Sequence, residues 1–187
     1  MAKIGLNNFR YSKLTESSDG TVTYNGAKTP AKAISCKVDI SNNDATLYAD
    51  DALAESDTSF QKGSVTIGID NDDVQTMADL LGHATSEDHT EILRNANDVA
   101  PYVGFGRIVT KIVNGDYKYT VEFLCKVKFS EPSQDDSTKG ESVSFSTTEL
   151  EGTVATTADG TWSVSKTFDT KTEAVTFLEG LMAKTTG

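Results

Sequence analysis

The stretch "LYADDALAESDTSF", residues 47–60, holds Asp50, Asp51, Glu55 and Asp57 and no positive charge. Carboxylates this close are the raw material of two chemistries. Glycoside hydrolysis needs two carboxyls about 5 Å apart for retention, or roughly 6.5–9.5 Å for inversion. Calcium binding of the EF-hand kind needs D-x-[DN]-x-[DN]-G with a glutamate at the twelfth position. Neither "DDALAESDT" nor "DNDDVQ" supplies that order. The acids are therefore read as a charged, non-catalytic loop. "GHATSEDHTE" offers His83, Glu87, His89 and Glu91. Their spacing fits no zinc motif, and the two histidines are read as surface residues after a helix. Gly104-x-Gly106 lacks the third glycine and the strand-to-helix turn of a dinucleotide loop. Glycines inside a strand mark a bulge or a close backbone approach instead. There is no GxSxG elbow, and Cys36 and Cys125 have no CxxC partner, so both are read as reduced thiols. No catalytic, cofactor or metal site is expected.

Charge narrows the partners. The chain has 28 acids and 17 bases, a formal net charge of −11. Thirteen of the acids but only Lys62 and Arg94 lie between Asp44 and Asp98, so the whole excess sits in one central segment. A protein that grips DNA by its phosphates needs clustered Lys and Arg instead. Aromatics are not interleaved with basic residues, which removes a stacking platform for single strands. No apolar run approaches the roughly 18 residues of a membrane span, and the first residues lack the apolar centre of a signal peptide.

The elements that would position these residues are mostly strands. From Tyr117 to Phe129 the odd positions are Tyr, Tyr, Val, Phe, Cys, Val and Phe, and the even ones are largely polar. That is the period of a half-buried strand. Asn114-Gly115 before it is a strong hairpin signal, so 102–113 and 116–129 are expected to pair. Further strands are expected at 21–24, 33–40, 46–49, 59–69, 91–94, 142–147, 153–156 and 161–168. "NDDVQTMADLLG" reads as a helix with Asn71 as N-cap and Gly82 at its end. "TKTEAVTFLEGLM" opens on the capping box Thr170-x-x-Glu173. Residues 131–141 read as a long loop, and residues 1–20 as an N-terminal arm anchored by Ile4, Leu6, Phe9 and Tyr11. Residues 21–187 then form one domain, an antiparallel β-sandwich or barrel with one or two flanking helices.

Several stretches together carry a resemblance: "ATLYADDALAES" (45–56), "GSVTIGID" followed by "ADLLGH" (63–83), "APYVGFG" (100–106), the block from "YKYTVEFLCKVKFSEP" to "ELEGTV" (117–154), and "FDTKTEAVTFL" (168–178). In order and spacing the chain resembles the major tail proteins, or tail-tube proteins, of long-tailed bacteriophages with non-contractile tails. The resemblance implies a β-sandwich tube domain; the immunoglobulin-like C-terminal decoration that some tail proteins carry is not read in this sequence, so the tube domain alone is expected. It implies hexameric rings stacked into a hollow tail in the virion. The tape-measure, tail-terminator and distal-tail proteins would be its partners. DNA would pass through the lumen without specific binding. It also implies that hairpins and loops line the lumen or join subunits. The candidates are Asp50, Asp51, Glu55, Asp57, Lys126, Lys128, Glu131 and Lys139. An acidic wall repels duplex DNA over about 8 Å at physiological salt, which suits a conduit. The alternative from a different class is a monomeric β-sandwich that binds carbohydrate or protein. Such a module needs clustered exposed aromatics, and Trp162, the only tryptophan, is expected to face the core.

Overall fold

The computed structural model describes residues 2–43, 45–49, 52–57, 59–71, 73–133 and 147–186. The protein is mainly β. In chain order the elements are β1 (Ala2–Glu16), β2 (Val22–Tyr24), β3 (Ala33–Asn42), β4 (Ala45–Ala49), β5 (Ala52–Asp57), β6 (Phe60–Ile69), α1 (Val74–Leu81), β7 (Ala84–Thr85) and β8 (Ile92–Leu93). They continue with β9 (Val103–Val113), β10 (Asp116–Phe129), β11 (Thr148–Ala155), β12 (Ser163–Phe168), α2 (Lys171–Met182) and β13 (Thr185–Thr186). One antiparallel sheet runs in the order β13-β2-β1-β9-β10-β11-β6-β3.

β10 is where this sheet forks. One of its edges follows β9 almost end to end. The other is shared, with Tyr119–Leu124 on β12 and Lys126–Phe129 on β11. A register shift between Leu124 and Val127 marks the fork. Such irregularities bend a strand and increase its twist. The bend lets β11, β6 and β3 curl over one face until β3 returns against β1, while β12 stays with β9 and β10.

The curl encloses the main core. Phe9 and Tyr11 of β1, Ile67 of β6, Phe105 of β9, Phe129 of β10 and Leu150 of β11 are all buried in it, with Met77, Leu80 and Leu81 of α1. Phe105 meets Phe9 and Phe129 edge-on, at centroid distances of 5.2 and 6.0 Å, a geometry that adds about 0.5–1.5 kcal/mol per pair beyond burial. On the opposite face of β9 and β10 a second core forms beneath α2. Ala174, Leu178 and Met182 pack there on Ile108, Val121 and Phe123. Gly104 and Gly106 make this contact possible. A Cβ on Gly104 would lie 2.7 Å from both the Phe123 and Tyr24 rings, and one on Gly106 2.3 Å from Leu178 Cδ1.

The hairpin turn is as read. Asn114 and Gly115 have φ of 53° and 94°, the left-handed values a type I′ turn requires. α2 has Thr170 as its N-cap: Thr170 Oγ1 accepts from Glu173 N at 3.3 Å and donates to Glu173 Oε2 at 2.8 Å, so the carboxylate meets the hydroxyl rather than the Thr170 N–H of the expected capping box. Gly82 ends α1 at φ 82°, donating to the Ala78 carbonyl at 2.8 Å. Its N-cap is Asp73, not Asn71, because the Asp73 carboxylate accepts from Thr76 N at 3.0 Å.

Two expectations are corrected. Residues 2–16 are no arm. They form a fifteen-residue strand inside the sheet, between β2 and β9, with Phe9 and Tyr11 buried at 1% and 2% exposure. The acidic stretch is not simply a loop either, since β4 and β5 pair within it. The strand expected at 142–147 and most of the loop at 131–141 lie outside the described residues.

Candidate functional site

The acidic segment sits on an extension of the β3–β6 hairpin. Asn42 pairs with Phe60, Asn43 N donates to the Ser59 carbonyl at 2.8 Å, and Ala45, Thr46 and Leu47 face Asp57, Ser56 and Glu55. The pairing slips between Ser41 and Asn42 and again between Leu47 and Tyr48; between those shifts Asn42–Phe60 and Ala45–Asp57 keep one register, so β4–β5 continues the line of the β3–β6 pair. β4 and β5 pair with each other and with no third strand among the described residues. Glu55 and Asp57 stand on β5. Asp50 and Asp51, between the two strands, lie outside the described residues, as does Lys139.

β10 presents the expected basic residues around one ring. Lys126 Nζ lies 4.7 Å and Lys128 Nζ 5.5 Å from the centre of the half-exposed Tyr102 ring. Cation–π contacts of this kind contribute about 0.5–1 kcal/mol at exposed sites. Lys126 is also paired with the Glu16 carboxylate of β1. Glu131, just past β10, meets His83 Nε2, whose Nδ1 lies 2.7 Å from Asp98 Oδ2. The His83 side chain is only 5% exposed. It is therefore not the surface histidine expected from the sequence. It ties the end of α1 to the 95–98 turn and to β10. Both contacts are donated only when the ring carries both protons. The hydrogen bond to His83, and then that from Asn95 N, holds the Asp98 carboxyl below the usual carboxylate range. His89 is exposed, at φ 53°.

A second polar hub was not visible in the sequence. Asp79 of α1 receives Lys13 at 2.7 Å, Lys28 at 2.6 Å and the Tyr11 hydroxyl at 3.1 Å. Burial would raise its pKa, but the two lysines outweigh burial and hold it low. The same burial, with the Asp79 charge beside it, raises the Tyr11 phenol.

Arg107, Glu122, Val38, Leu124 and Trp162 line a cavity of about 260 Å³ at the open end of the curl. Arg107 Nε donates to Glu122 Oε2 at 3.0 Å, its Nη2 meets the same oxygen, and Nη1 lies against Cys36 Sγ. Burial pushes the Cys36 thiol up, an effect Arg107 only partly opposes. The guanidinium is thus committed and the thiol is poorly ionised, which disfavours nucleophilic chemistry. Trp162 stacks on Phe60 at 5.2 Å and packs against the main core, as expected from the sequence. Among the described residues no group of three His, Cys, Asp or Glu side chains is arranged to hold a metal ion. None of their helices is long and apolar enough to cross a membrane.

No protein-family model matches the chain, and no curated protein matches it.

Proposed function

We propose that the protein is a structural, self-assembling subunit: the tail-tube protein of a long-tailed phage, forming hexameric rings that stack into a hollow tail in the virion. The observation that carries this reading is the β3–β6 hairpin. Its line continues past the sheet on β4 and β5, which pair with no third strand among the described residues, and the sequence from 43 to 59 carries five acids and no base. Strands left unpaired in this way are a hazard in a monomer and a joint in an assembly. The open edge of β3 supports the same reading. Among the described residues it pairs with β6 alone, and it leaves Ile34 and Ile40 at 49% and 36% exposure. The sequence resemblance supplies the specific assembly. In this reading the chain is no enzyme and holds no cofactor. The acidic hairpin either faces the lumen, where it repels DNA, or meets a neighbouring subunit. The tape-measure, tail-terminator and distal-tail proteins complete the tail.

Negative-stain electron microscopy across a concentration series tests this. Rings or hollow tubes of uniform diameter are the expected result. Single small particles at every concentration, including in the presence of tail-tip proteins, would refute it.

A further inference from the structure

The inference rests on the assembly reading and names the contact within it. Strand register places Lys3 of β1 opposite Lys111 of β9, and Lys111 opposite Lys118 of β10. Three lysines therefore stand side by side across three neighbouring strands, next to the Asn114-Gly115 turn. Residues directly opposite on paired strands have Cβ atoms about 4.5–5.5 Å apart, and like charges there repel and weaken the sheet. One of the three is answered: Asp169 holds Lys118 at 2.5 Å, with Asp116 adding a weaker attraction. Lys3 and Lys111 meet no carboxylate among the described residues. A sheet that keeps this arrangement carries a local cost that an external anion would remove.

The same chain carries such an anion. Residues 43–59 have five acids and no base, and among the described residues β4 and β5 pair with no third strand. We propose that the β4–β5 hairpin of a second copy docks across the Lys3–Lys111–Lys118 row. The two patches are different surfaces, so the contact is heterologous. It propagates from copy to copy into a ring or a stack rather than closing as a dimer. β4 alone reaches about 17 Å at 3.3 Å per residue, against the roughly 10 Å that three adjacent strands span. Being electrostatic and close to solvent, the contact weakens as salt shortens the screening length from about 10 Å at 0.1 M toward 3 Å at 1 M.

Two full-length variants test it by sedimentation velocity: Lys3→Glu/Lys111→Glu, which reverses the row, and Glu55→Lys/Asp57→Lys, which reverses the hairpin. At low salt each should associate at least tenfold more weakly than wild type. An equimolar mixture should recover association, because the basic hairpin of one finds the acidic row of the other. Lys171→Glu/Lys184→Glu has the same net charge as the row variant and should associate like wild type. Mixed with the hairpin variant it should take that variant up only at chain ends, because the variant's basic hairpin finds no acidic row to dock on. Circular dichroism checks that each variant is folded, and Lys3→Gln/Lys111→Gln replaces the row variant if it is not. Wild-type assembly that neither reversal disturbs overturns this contact and leaves the assembly reading standing. Wild type that stays monomeric at every concentration and salt, with tail-tip proteins present, overturns both. Duplex DNA binding by wild type that the row reversal abolishes makes the row a phosphate site and overturns the docking assignment.

Discussion

The packing of α2 on the sheet turns on the absence of one carbon atom. A Cβ at Gly106 would stand 2.3 Å from Leu178 Cδ1 and 3.2 Å from Met182 Cε, where ordinary contact begins at 3.4 Å. The gap is short by about an ångström. Neither neighbour can step aside, since Leu178 and Met182 are 1% and 0% exposed. Gly106→Ala should therefore carry an overpacking cost of about 1–3 kcal/mol. Roughly 0.5–1 kcal/mol of this is returned by the lower entropy of the unfolded chain. Leu178→Ala alone should cost about 2–5 kcal/mol through lost burial and the cavity left behind. The double variant is the informative one. With the leucine truncated, the new methyl enters space instead of colliding, so the two costs should fall short of additive by about 1–3 kcal/mol. Urea unfolding monitored by Trp162 fluorescence and circular dichroism gives the three free energies. At this chain length each kcal/mol also moves Tm by about 2–4 °C. Additivity within about 0.5 kcal/mol, or a Gly106→Ala variant more stable than wild type, would refute the close approach of helix and sheet described above.

Three further outcomes follow from other parts of the structure. Asp79→Asn should cost about 1.5–3 kcal/mol near neutral pH, because two lysines and the Tyr11 hydroxyl lose a charged acceptor. Since the folded carboxyl titrates below its unfolded value of about 3.9, wild type should keep that advantage above about pH 5. The advantage should shrink as pH falls through the lower folded value, and denaturant midpoints of the two proteins against pH should converge in acid. Burial pushes the Cys125 thiol up to about 11, so at pH 8 roughly one thiol in a thousand is ionised there. A disulfide reagent should label Cys125 only on unfolding, and rapid labelling of the native protein would contradict its placement. Deleting residues 1–16 removes Phe9 and Tyr11 from the main core and should abolish cooperative unfolding. A detachable arm would instead leave a folded monomer, which the same melt distinguishes.

What the sequence displayed and what it concealed differ for physical reasons. The β9–β10 hairpin was legible because Asn114-Gly115 and the strict alternation of 117–129 act locally. α2 was legible because the Thr170 N-cap fixes its first turn. β1 was not, because its pairing with β9 slips between Lys3 and Gly5 and again between Asn7 and Arg10, and Asn8 takes φ 53°. Each irregularity breaks the two-residue period by which a strand announces itself. β5 was hidden differently. "ALAESD" is poor in β-branched and aromatic residues, and it pairs because the β3–β6 register carries it onward. The two polar hubs lie across the fold. Asp79 gathers side chains 51 and 66 or more positions away, and His83 reaches Asp98 and Glu131 at separations of 15 and 48. No local pattern signals such meetings. The lysine row is invisible for the same reason, since it exists only once the register of three strands is known.

The correction at β1 changes how assembly has to work. An N-terminal arm can leave its own subunit and complete a neighbour at little cost. β1 cannot, because it lies between β2 and β9 and places Phe9 and Tyr11 in the main core. Withdrawing it would expose two aromatic side chains, each worth about 1.5–3 kcal/mol of burial, and break its pairing along the length of β9. Among the described residues, the segments left with an unpaired edge include β3 and the β4–β5 hairpin that extends from it. β4 and β5 follow the line of the β3–β6 pair, and they lie in the stretch of sequence where the chain concentrates its excess negative charge. Hydrogen-bonding capacity along β3 and charge on β4–β5 thus sit on one continuous element. An edge alone would pair with any strand, and charge alone would meet any cation. Together they restrict the partner to a surface with both a matching edge and clustered lysines, and this chain carries such lysines on β1, β9 and β10.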